Sequence, residues 1–147
     1  MTEFRAPEVD DFNGKIIAEF RANGGRVGGP FHGSDILLLH HTGARSGAER
    51  VTPLAYQWVG DSFAVFAVFA VKAGSPENPS WFHNLLAYPE TVTEVGTRTV
   101  RVRARLAQPA ERDVIYSRQK QRHPAFAQYE VKAAPRKIPV VVLDPVR

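Results

Sequence analysis

A cationic loop bounded by glycines lies between two apolar runs, in the segment TGARSGAERVTPLAY (residues 42–56). Hairpin connections commonly have about two to five residues, whereas residues 43–50 here are all small or charged. The guanidinium groups of Arg45 and Arg50 are forked donors that match phosphate or carboxylate, and Ser46 adds a hydroxyl group. These residue types at this spacing are typical of a site that binds a polyanion.

The glycines of the loop favour the same interpretation. Gly43 and Gly47 let the backbone adopt positive φ and approach a ligand closely, so the N–H groups around them can form an anion-binding concavity. The spacing matches neither a Walker loop nor a Rossmann fingerprint. The alternative is an ordinary long hairpin connection with exposed arginines, and the residues of the loop leave both interpretations open.

Two later segments carry side chains that could meet a ligand. Lys72 directly follows an apolar run and precedes a turn of small residues, where a cation could meet a ligand lying across a strand end. A lysine at such a position is also common as a solvated side chain. His123, Phe126 and Tyr129 recur at three-residue intervals, on one side of a helical turn. They form either a wall over a planar ligand, with Tyr129 or His123 offering a proton, or a packed aromatic cluster.

Several kinds of chemistry are excluded by the residues of the chain. The 147 residues include no cysteine, which rules out disulfides, thiolate metal sites and cysteine nucleophiles. His40 and His41 are neighbours in a predicted strand, so their side chains point to opposite faces, and the other histidines lack the spacing of metal ligands. No serine lies in a nucleophile-elbow context. We therefore predict neither a metal site nor a hydrolytic triad.

Periodicity and turn signals predict the elements that position these residues. An opening helix and a glycine-rich loop occupy residues 1–34, and one domain follows over 35–147. Within it we predict strands at residues 35–42, 50–59, 62–71, 91–95, 98–106 and 137–146, helices at 78–88 and 109–122, and a short connecting turn or helix at 123–129. Asn78 would cap the first of these helices. Because the strands are consecutive rather than alternating with long helices, the pattern indicates an α+β fold with a small barrel of about six mostly antiparallel strands.

The surplus of basic residues limits the choice of partners. The chain has 19 basic and 15 acidic residues and a net charge of +4, and the surplus is concentrated in residues 98–122. This patch could attract nucleic acid, anionic lipid or a polyanionic cofactor. The alternative, which we favour for Arg101, Arg103 and Arg105, is the solvated face of a strand whose other face is apolar. The N-terminal residues lack the apolar run of a secretory signal, so we expect a cytoplasmic location.

Two motifs in this sequence resemble those of the deazaflavin-dependent nitroreductase family, oxidoreductases that use the reduced 8-hydroxy-5-deazaflavin coenzyme F420. The first is a threonine-glycine turn with a basic residue, serine and glycine, followed by an arginine and a proline-leucine pair, here Thr42, Gly43, Arg45, Ser46, Gly47, Arg50, Pro53 and Leu54. The second is a lysine and a glycine followed by N-P-x-W-[FY]-x-N-L, here Lys72, Gly74, Asn78, Pro79, Trp81, Phe82, Asn84 and Leu85. The closing IPVVVLDP (138–145) is also similar, so the resemblance covers roughly residues 35–146.

The resemblance implies a split β-barrel, of the kind that also binds FMN, with F420 in a groove on the barrel. The residues that would hold the phosphate and the acidic tail of the coenzyme are Arg45, Ser46, Gly47 and Arg50. Those that would line its ring system are Pro53, Ala55, Val68 and Ala70. A charge and backbone N–H groups would come from Lys72, Ala73 and Gly74. The site would be braced by Trp81 and Asn84.

The reaction that the resemblance implies is hydride transfer from C5 of the deazaflavin to an electron-poor acceptor, such as a quinone, a nitroaromatic compound or an activated alkene. His123, Phe126 and Tyr129 would lie on the substrate side, where family members have tyrosines, so proton donation would depend on Tyr129. Two departures from the family pattern are Ala44, where a second basic residue is common, and Val71, where a small hydroxyl residue is common.

The sequence is also consistent with two other functions. An FMN-dependent split-barrel oxidoreductase would share the fold and an arginine-rich phosphate site. A non-enzymatic basic module would instead bind nucleic acid or an anionic membrane through the late arginines. The favoured function has a small-molecule acceptor as its partner and no nucleic acid. A quinone acceptor would favour peripheral membrane contact, and a homodimer is a further expectation.

Overall fold

The structure is a computed structural model that describes residues 7–28, 35–68 and 78–146, with side chains described from residue 13 onward. Its helices and strands in chain order are α1 (Pro7–Ala22), β1 (Ile36–Thr42), β2 (Glu49–Val59), β3 (Ser62–Phe66), α2 (Ser80–Ala87), β4 (Glu90–Val95), β5 (Arg98–Leu106), α3 (Pro109–Arg122), α4 (Ala125–Ala133) and β6 (Val140–Pro145). The six strands pair antiparallel in the order β1-β2-β3-β6-β5-β4, and β1 also pairs with β4, which closes a barrel. The predicted α+β barrel is confirmed.

β1 is buried on both faces, as its continuous apolar run predicts. Leu37 and Leu39 face the barrel interior, where they pack in the central cluster. Ile36 and Leu38 face outward and pack against Phe20 of α1. The strand alternation therefore supplies two cores at once, one inside the barrel and one beneath α1.

β3 is also buried on both faces, because helices cover its outer side. Phe63 and Val65 lie in the barrel interior. Ala64 and Phe66 lie in a second cluster, which the last two helices build with Ile115, Tyr116, Phe126 and Ala133. The hydroxyl group of Tyr116 donates a hydrogen bond of 2.7 Å to the Phe126 carbonyl oxygen and so ties α3 to α4. Burial raises the pKa of Tyr116 to about 12, so this donor keeps its proton across the physiological range.

α2 packs on the barrel interior at the end where β1 finishes. Trp81, Phe82 and Leu85 belong to the same cluster as the inward-facing strand residues. The predicted capping of this helix by Asn78 is wrong, because Pro79 occupies the N-cap position with no side-chain cap. The Asn78 Oδ1 instead accepts a hydrogen bond from the Arg136 guanidinium. No helix in the described ranges combines the length and apolar character needed to cross a membrane.

The arginines of β5 are held by neighbouring carboxylates. Arg103 pairs with Glu90 at 2.7 Å. Arg105 binds both Glu111, at 2.8 Å, and Asp144, at 2.7 Å. These contacts agree with the interpretation that the arginines of β5 lie on the solvated face of the strand, because neighbouring carboxylates neutralise much of their positive charge.

A charged cluster ties α1 to the barrel. Arg21 contacts Glu94 of β4 at 2.7 Å, and the His40 Nε2 lies 2.7 Å from the same carboxylate. The Arg21 hydrogen bonds, with a smaller contribution from His40, hold the pKa of Glu94 below its usual range. A carboxylate with a depressed pKa stabilises the folded state above its ordinary pKa, and this stability is lost as pH falls.

We expect Glu94→Gln to lower the free energy of unfolding by about 0.5 kcal/mol at neutral pH, because the charge pair with Arg21 is lost. The difference should persist above the ordinary pKa of 4.5 and disappear as pH falls through the lower folded-state pKa. Urea unfolding at neutral and acidic pH measures both differences. Glu90→Gln, which removes the more exposed pair with Arg103, is the control and should change stability less. Equal stabilities of native protein and Glu94→Gln at neutral pH would contradict the assignment.

Candidate functional site

The glycine-bounded loop is a closed hairpin connection over residues 43–48. The β1–β2 ladder continues to the pair Thr42 and Glu49, so the loop is shorter than the sequence indicates. The Gly43 N–H donates to the Ala48 carbonyl oxygen at 2.8 Å, and the Gly47 N–H donates to the Gly43 carbonyl oxygen at 2.9 Å. Gly47 has φ of 71°, a left-handed conformation that favours glycine. The loop is therefore ordered by its own backbone.

Gly43 is required by a close approach within the loop. A Cβ atom at this position would lie 2.5 Å from the Ser46 Oγ. The same oxygen accepts a hydrogen bond of 3.2 Å from the Ala48 N–H. The Ser46 hydroxyl hydrogen is left to donate elsewhere, and the side chain is exposed.

Within the predicted concavity, the N–H groups of Gly43 and Gly47 themselves are not available to an anion. Both of these N–H groups close the loop, and the Ala44 N–H donates to the Asn84 Oδ1 at 2.9 Å. Within the described part of the chain, the N–H groups of Arg45 and Ser46 make no backbone hydrogen bond. The backbone donors that remain for an anion are therefore the N–H groups of Arg45 and Ser46 at the tip of the loop, where both side chains are exposed.

Arg50 lies at the base of the loop, on a different face of β2 from the predicted ring-lining residues. It is the cross-strand partner of His41, so the two side chains share one face of the sheet. Pro53 and Ala55 are an odd number of residues further along and point to the opposite, outer face. Arg45 at the tip is exposed, and Arg50 is half-buried.

Beneath the loop, a buried polar chain joins α2 to β1 and β2. The Asn84 side chain, which is 0% exposed, contacts the His41 Nδ1 through its Nδ2 at 2.9 Å. The His41 Nε2 contacts the Thr52 Oγ1 at 2.8 Å. Asn84 was predicted to brace the site, and in the structure its Oδ1 accepts a hydrogen bond from the Ala44 N–H of the loop. His41 and Thr52 were missed, although their positions on the strand face of Arg50 could have indicated them.

The outer face of the barrel brings several predicted ring-lining residues together. Ala55, Val68 and Tyr129 are partly buried residues packed at the edge of the cluster under α3 and α4. Ala55 also packs against the cluster under α1. The small side chain of Ala55 thus lies at the boundary between two helical covers, which is where a groove can form. Pro53 on the same face is buried.

Three predicted aromatic residues form one series along α4 and its preceding turn. The ring centroids of Phe126 and Tyr129 are 5.0 Å apart, and those of His123 and Phe126 are 6.4 Å apart. Phe126 is buried and packs edge-on against Phe66 at 5.3 Å. The packed-cluster interpretation therefore describes Phe126, whereas His123 and Tyr129 are half-buried at the edge.

The remaining predicted residues have different positions. Trp81 is buried in the barrel interior, so it supports the site through packing of α2 rather than by exposing its ring. Ala70, Lys72, Ala73 and Gly74, and the departure at Val71, lie outside the described residues. In the ranges that the structure describes, no group of three histidine or carboxylate side chains could hold a metal ion.

Comparisons of sequence agree with this geometry. The family model described as "F420H(2)-dependent quinone reductase" matches residues 15–145. An F420H(2)-dependent quinone reductase of Mycobacterium tuberculosis is 36% identical over 132 residues, which cover 86% of this chain and 85% of that protein. A second protein of M. tuberculosis, a putative F420H(2)-dependent quinone reductase, is 35% identical over 109 residues, covering 74% and 88% of the two chains.

Solved structures give the same result for the fold. An F420-H2 dependent reductase is 31% identical with a TM-score of 0.63, and the match covers 74% of this chain and 93% of that chain. A protein described as a domain-swapped dimer is 28% identical with a TM-score of 0.65, covering 93% and 97%. The sequence resemblance to deazaflavin-dependent oxidoreductases is confirmed.

We expect Gly43→Ala to destabilise the protein by about 1 kcal/mol, because Ser46 must rotate away and leave the Ala48 N–H without its acceptor. The loss of stability in the double variant Gly43→Ala/Ser46→Ala should be smaller than the sum of the losses in the two single variants, since the atom that clashes is absent. Urea unfolding of the three variants measures this coupling. Gly14→Ala, in an open helical position, should leave stability equal or higher. Strict additivity of the two loop substitutions would contradict the proposed contact.

Proposed function

Because the chain belongs to the F420H(2)-dependent quinone reductase family and is therefore an oxidoreductase that uses coenzyme F420, we propose that loop 43–48 and Arg50 hold the phosphate and acidic tail of the coenzyme and that the acceptor is a quinone. The observation that carries this proposal is the braced loop, whose tip has an exposed arginine and two N–H groups that make no backbone hydrogen bond in the described ranges. When bound, reduced F420 supplies a hydride from C5.

The donor set of the loop fits a polyanion. Arg45 provides a fixed positive charge and a forked donor, the Ser46 hydroxyl provides a further hydrogen, and the N–H groups of both residues make no backbone hydrogen bond with the residues that the structure describes. The loop is already held in one conformation by Gly43, Ala48 and Asn84. A preformed site loses less conformational entropy when it binds, so the loop favours tight binding of a flexible acidic tail.

The outer barrel face fits the flat, largely apolar ring system. Ala55 and Val68 offer small or branched apolar side chains, and Tyr129 stands at the same edge. The backbone at Val68 is fixed, because Arg136 donates to the carbonyl oxygens of Ala67 and Val68. A rigid apolar wall orients the ring and excludes water from the reacting face.

We assign the donation of a proton to the acceptor to the hydroxyl group of Tyr129. Reduction of a quinone to a hydroquinone takes one hydride and one proton, so a donor is needed on the acceptor side. The half-buried Tyr129 lies at the edge of the ring-lining face, and His123 stands at the other end of the same aromatic series. Tyrosine can donate a hydrogen bond to the quinone oxygen on which negative charge develops.

The direct test of the proposal follows the oxidation of reduced F420 by absorbance. The purified protein is mixed with reduced coenzyme and, in separate reactions, with a quinone, a nitroaromatic compound and an activated alkene. Fast oxidation of the reduced coenzyme by the quinone supports the proposal. A faster reaction with the nitroaromatic compound or the alkene would identify that compound as the acceptor instead of the quinone. FMN is the competing cofactor, so its titration runs in parallel. Binding of FMN without F420 would overturn the assignment of the cofactor.

A homodimer and peripheral contact with a membrane are part of the same proposal. The relative described as a domain-swapped dimer matches nearly the whole chain, and quinones are apolar molecules that concentrate in lipid. Sedimentation at several concentrations tests for the dimer, and flotation with vesicles tests for membrane contact. Sedimentation as a monomer at all concentrations would remove the dimer, and recovery only in the unbound fraction would remove membrane contact.

The double variant Arg45→Ala/Arg50→Ala is expected to weaken F420 binding tenfold or more, about 1.4 kcal/mol. Both guanidinium groups are assigned to the anionic parts of the coenzyme, and their removal takes away two charges and several donors. Quenching of deazaflavin fluorescence measures the Kd. Arg103→Ala, which removes a cation already paired with Glu90, is the control and should leave the Kd close to that of the native protein. An unchanged Kd in the double variant would refute the assignment of the loop.

We expect Tyr129→Phe to reduce kcat roughly tenfold or more with little change in the Kd of F420, because the proton donor is lost while the ring stays in place. Steady-state kinetics with the quinone and fluorescence titration separate the two effects. The control is Tyr88→Phe, which removes an exposed hydroxyl group elsewhere on the surface. Equal turnover of Tyr129→Phe and the native protein would remove the proposed role.

A further inference from the structure

The orientation of the Asn84 amide is determined by the backbone. Ala44 contributes an N–H, which can only donate, so the atom of Asn84 that lies 2.9 Å from it must be the oxygen. The amide nitrogen of Asn84 then faces the His41 Nδ1 at 2.9 Å. Because this nitrogen carries two hydrogens and can only donate, the His41 Nδ1 must be an acceptor without a proton.

The same reasoning fixes the protonation state of His41. With Nδ1 unprotonated, the neutral imidazole carries its hydrogen on Nε2, which lies 2.8 Å from the Thr52 Oγ1 and donates to it. His41 is 4% exposed and Asn84 is 0% exposed, so water does not readily replace either partner. The series Thr52, His41, Asn84 and Ala44 is therefore satisfied by one tautomer and one amide orientation.

We propose that His41 is a positioning residue for the coenzyme: its neutral Nε2–H form holds Asn84 in the orientation that binds the Ala44 N–H, and this fixes the loop whose tip binds the anion. The inference rests on the proposed function of loop 43–48 and adds a residue that touches neither the coenzyme nor the substrate. The sequence excluded His41 as a metal ligand and indicated no other role for it.

A protonated His41 would be incompatible with this arrangement. Both ring nitrogens of an imidazolium are donors, so Nδ1–H would face the Asn84 amide hydrogens. Rotation of the amide would relieve that contact but would place the nitrogen against the Ala44 N–H, which is again donor against donor. Either way, the loop loses its anchor in a buried place, where unmatched polar groups are costly.

The charged groups around His41 also favour its neutral form. Arg50 is its cross-strand partner on the same face, and a second positive charge beside a guanidinium is unfavourable. On α2, His83 next to Asn84 is exposed, and on the loop side Arg45 and Glu49 are exposed. His40 and its partner Glu94 lie on the opposite face of β1. Among the residues that the structure describes, the cross-strand partner of His41 on the same face is therefore positively charged.

If His41 has this role, the effect of acid on coenzyme binding should be opposite to the usual one. A new positive charge near an anion site ordinarily strengthens anion binding. If His41 acts through the Asn84 amide, its protonation instead weakens the binding of the polyanionic coenzyme, because the loop is released. The two explanations therefore predict opposite changes in the Kd of F420 as pH falls.

The variants that test the role have side chains of similar size and shape, but only one of them has a polar acceptor next to Asn84. His41→Asn places an oxygen close to the position of Nδ1, accepts from the Asn84 amide and does not titrate. His41→Leu removes the acceptor. We expect His41→Leu to raise the Kd of F420 about tenfold, equivalent to about 1.4 kcal/mol, and His41→Asn to retain most of the native affinity. His40→Asn, on the same strand but the opposite face, is the matched control and should keep the native Kd.

The dependence of the Kd of F420 on pH distinguishes this role from a merely structural one, which would leave that dependence unchanged. Between about pH 8 and pH 5, the native Kd should rise more steeply than that of His41→Asn, and the comparison cancels the titration of the coenzyme itself. Parallel profiles of the two proteins would overturn the proposal, as would tighter binding of the native protein in acid.

Measurements without the coenzyme keep this inference separate from the proposed function. Nitrogen-15 shifts of the imidazole should show hydrogen on Nε2 at neutral pH, and the Ala44 amide should exchange with solvent faster in His41→Leu than in His41→Asn. A neutral ring protonated on Nδ1, or equal exchange in the two variants, would overturn the role of His41 even if F420 binds. If F420 does not bind the native protein while these signatures are present, the proposed function fails and the bracing of the loop stands.

Discussion

The contact between the Ala44 N–H and the Asn84 Oδ1 joins the loop to the rest of the molecule. It connects residues 40 positions apart in the chain, and one partner is completely buried. The loop already closes on itself through Gly43 and Gly47, but those bonds set only its internal shape. Its orientation relative to the barrel depends on α2, and α2 is fixed because Trp81 and Leu85 pack in the barrel interior. A hydrophobic core thus positions a polar site through one amide side chain.

The placement of apolar residues on β2 explains why a groove can form on one side of the barrel. The outer residues near the start of the strand pack under α1, and those near its end pack under α3 and α4. Ala55 contacts both clusters and is only partly buried. A larger residue there would fill the space between the two helical covers. Ala55 thus lies where the two helical covers meet, and Val68 and Tyr129 pack against the cluster under α3 and α4.

Much of this fold follows from local patterns in the sequence. The hairpin turns at Gly60 and Gly96 have φ of 60° in both cases, so glycine marked them reliably. β1 and β3 have apolar residues on both faces, which indicates burial on both sides. The use of individual N–H groups could not be predicted in this way, because it depends on contacts between distant segments. Gly43 is not among the glycines with positive φ, and its N–H closes the loop instead of remaining available to an anion. Likewise, the Asn78 side chain contacts Arg136 near the C-terminus rather than capping its own helix.

Local pairing, rather than net charge, decides what the arginines can bind. The net charge of +4 is spread over a chain in which Arg103 and Arg105 are already paired with carboxylates on adjacent strands and on α3. An arginine in such a pair gains less from a new anion, because the existing partner must first be displaced. Arg45 differs, since its side chain is exposed at the tip of a loop that the contact between Ala44 and Asn84 holds. The exposed side chain of Arg45 is therefore more available to an anion than the paired side chains of Arg103 and Arg105.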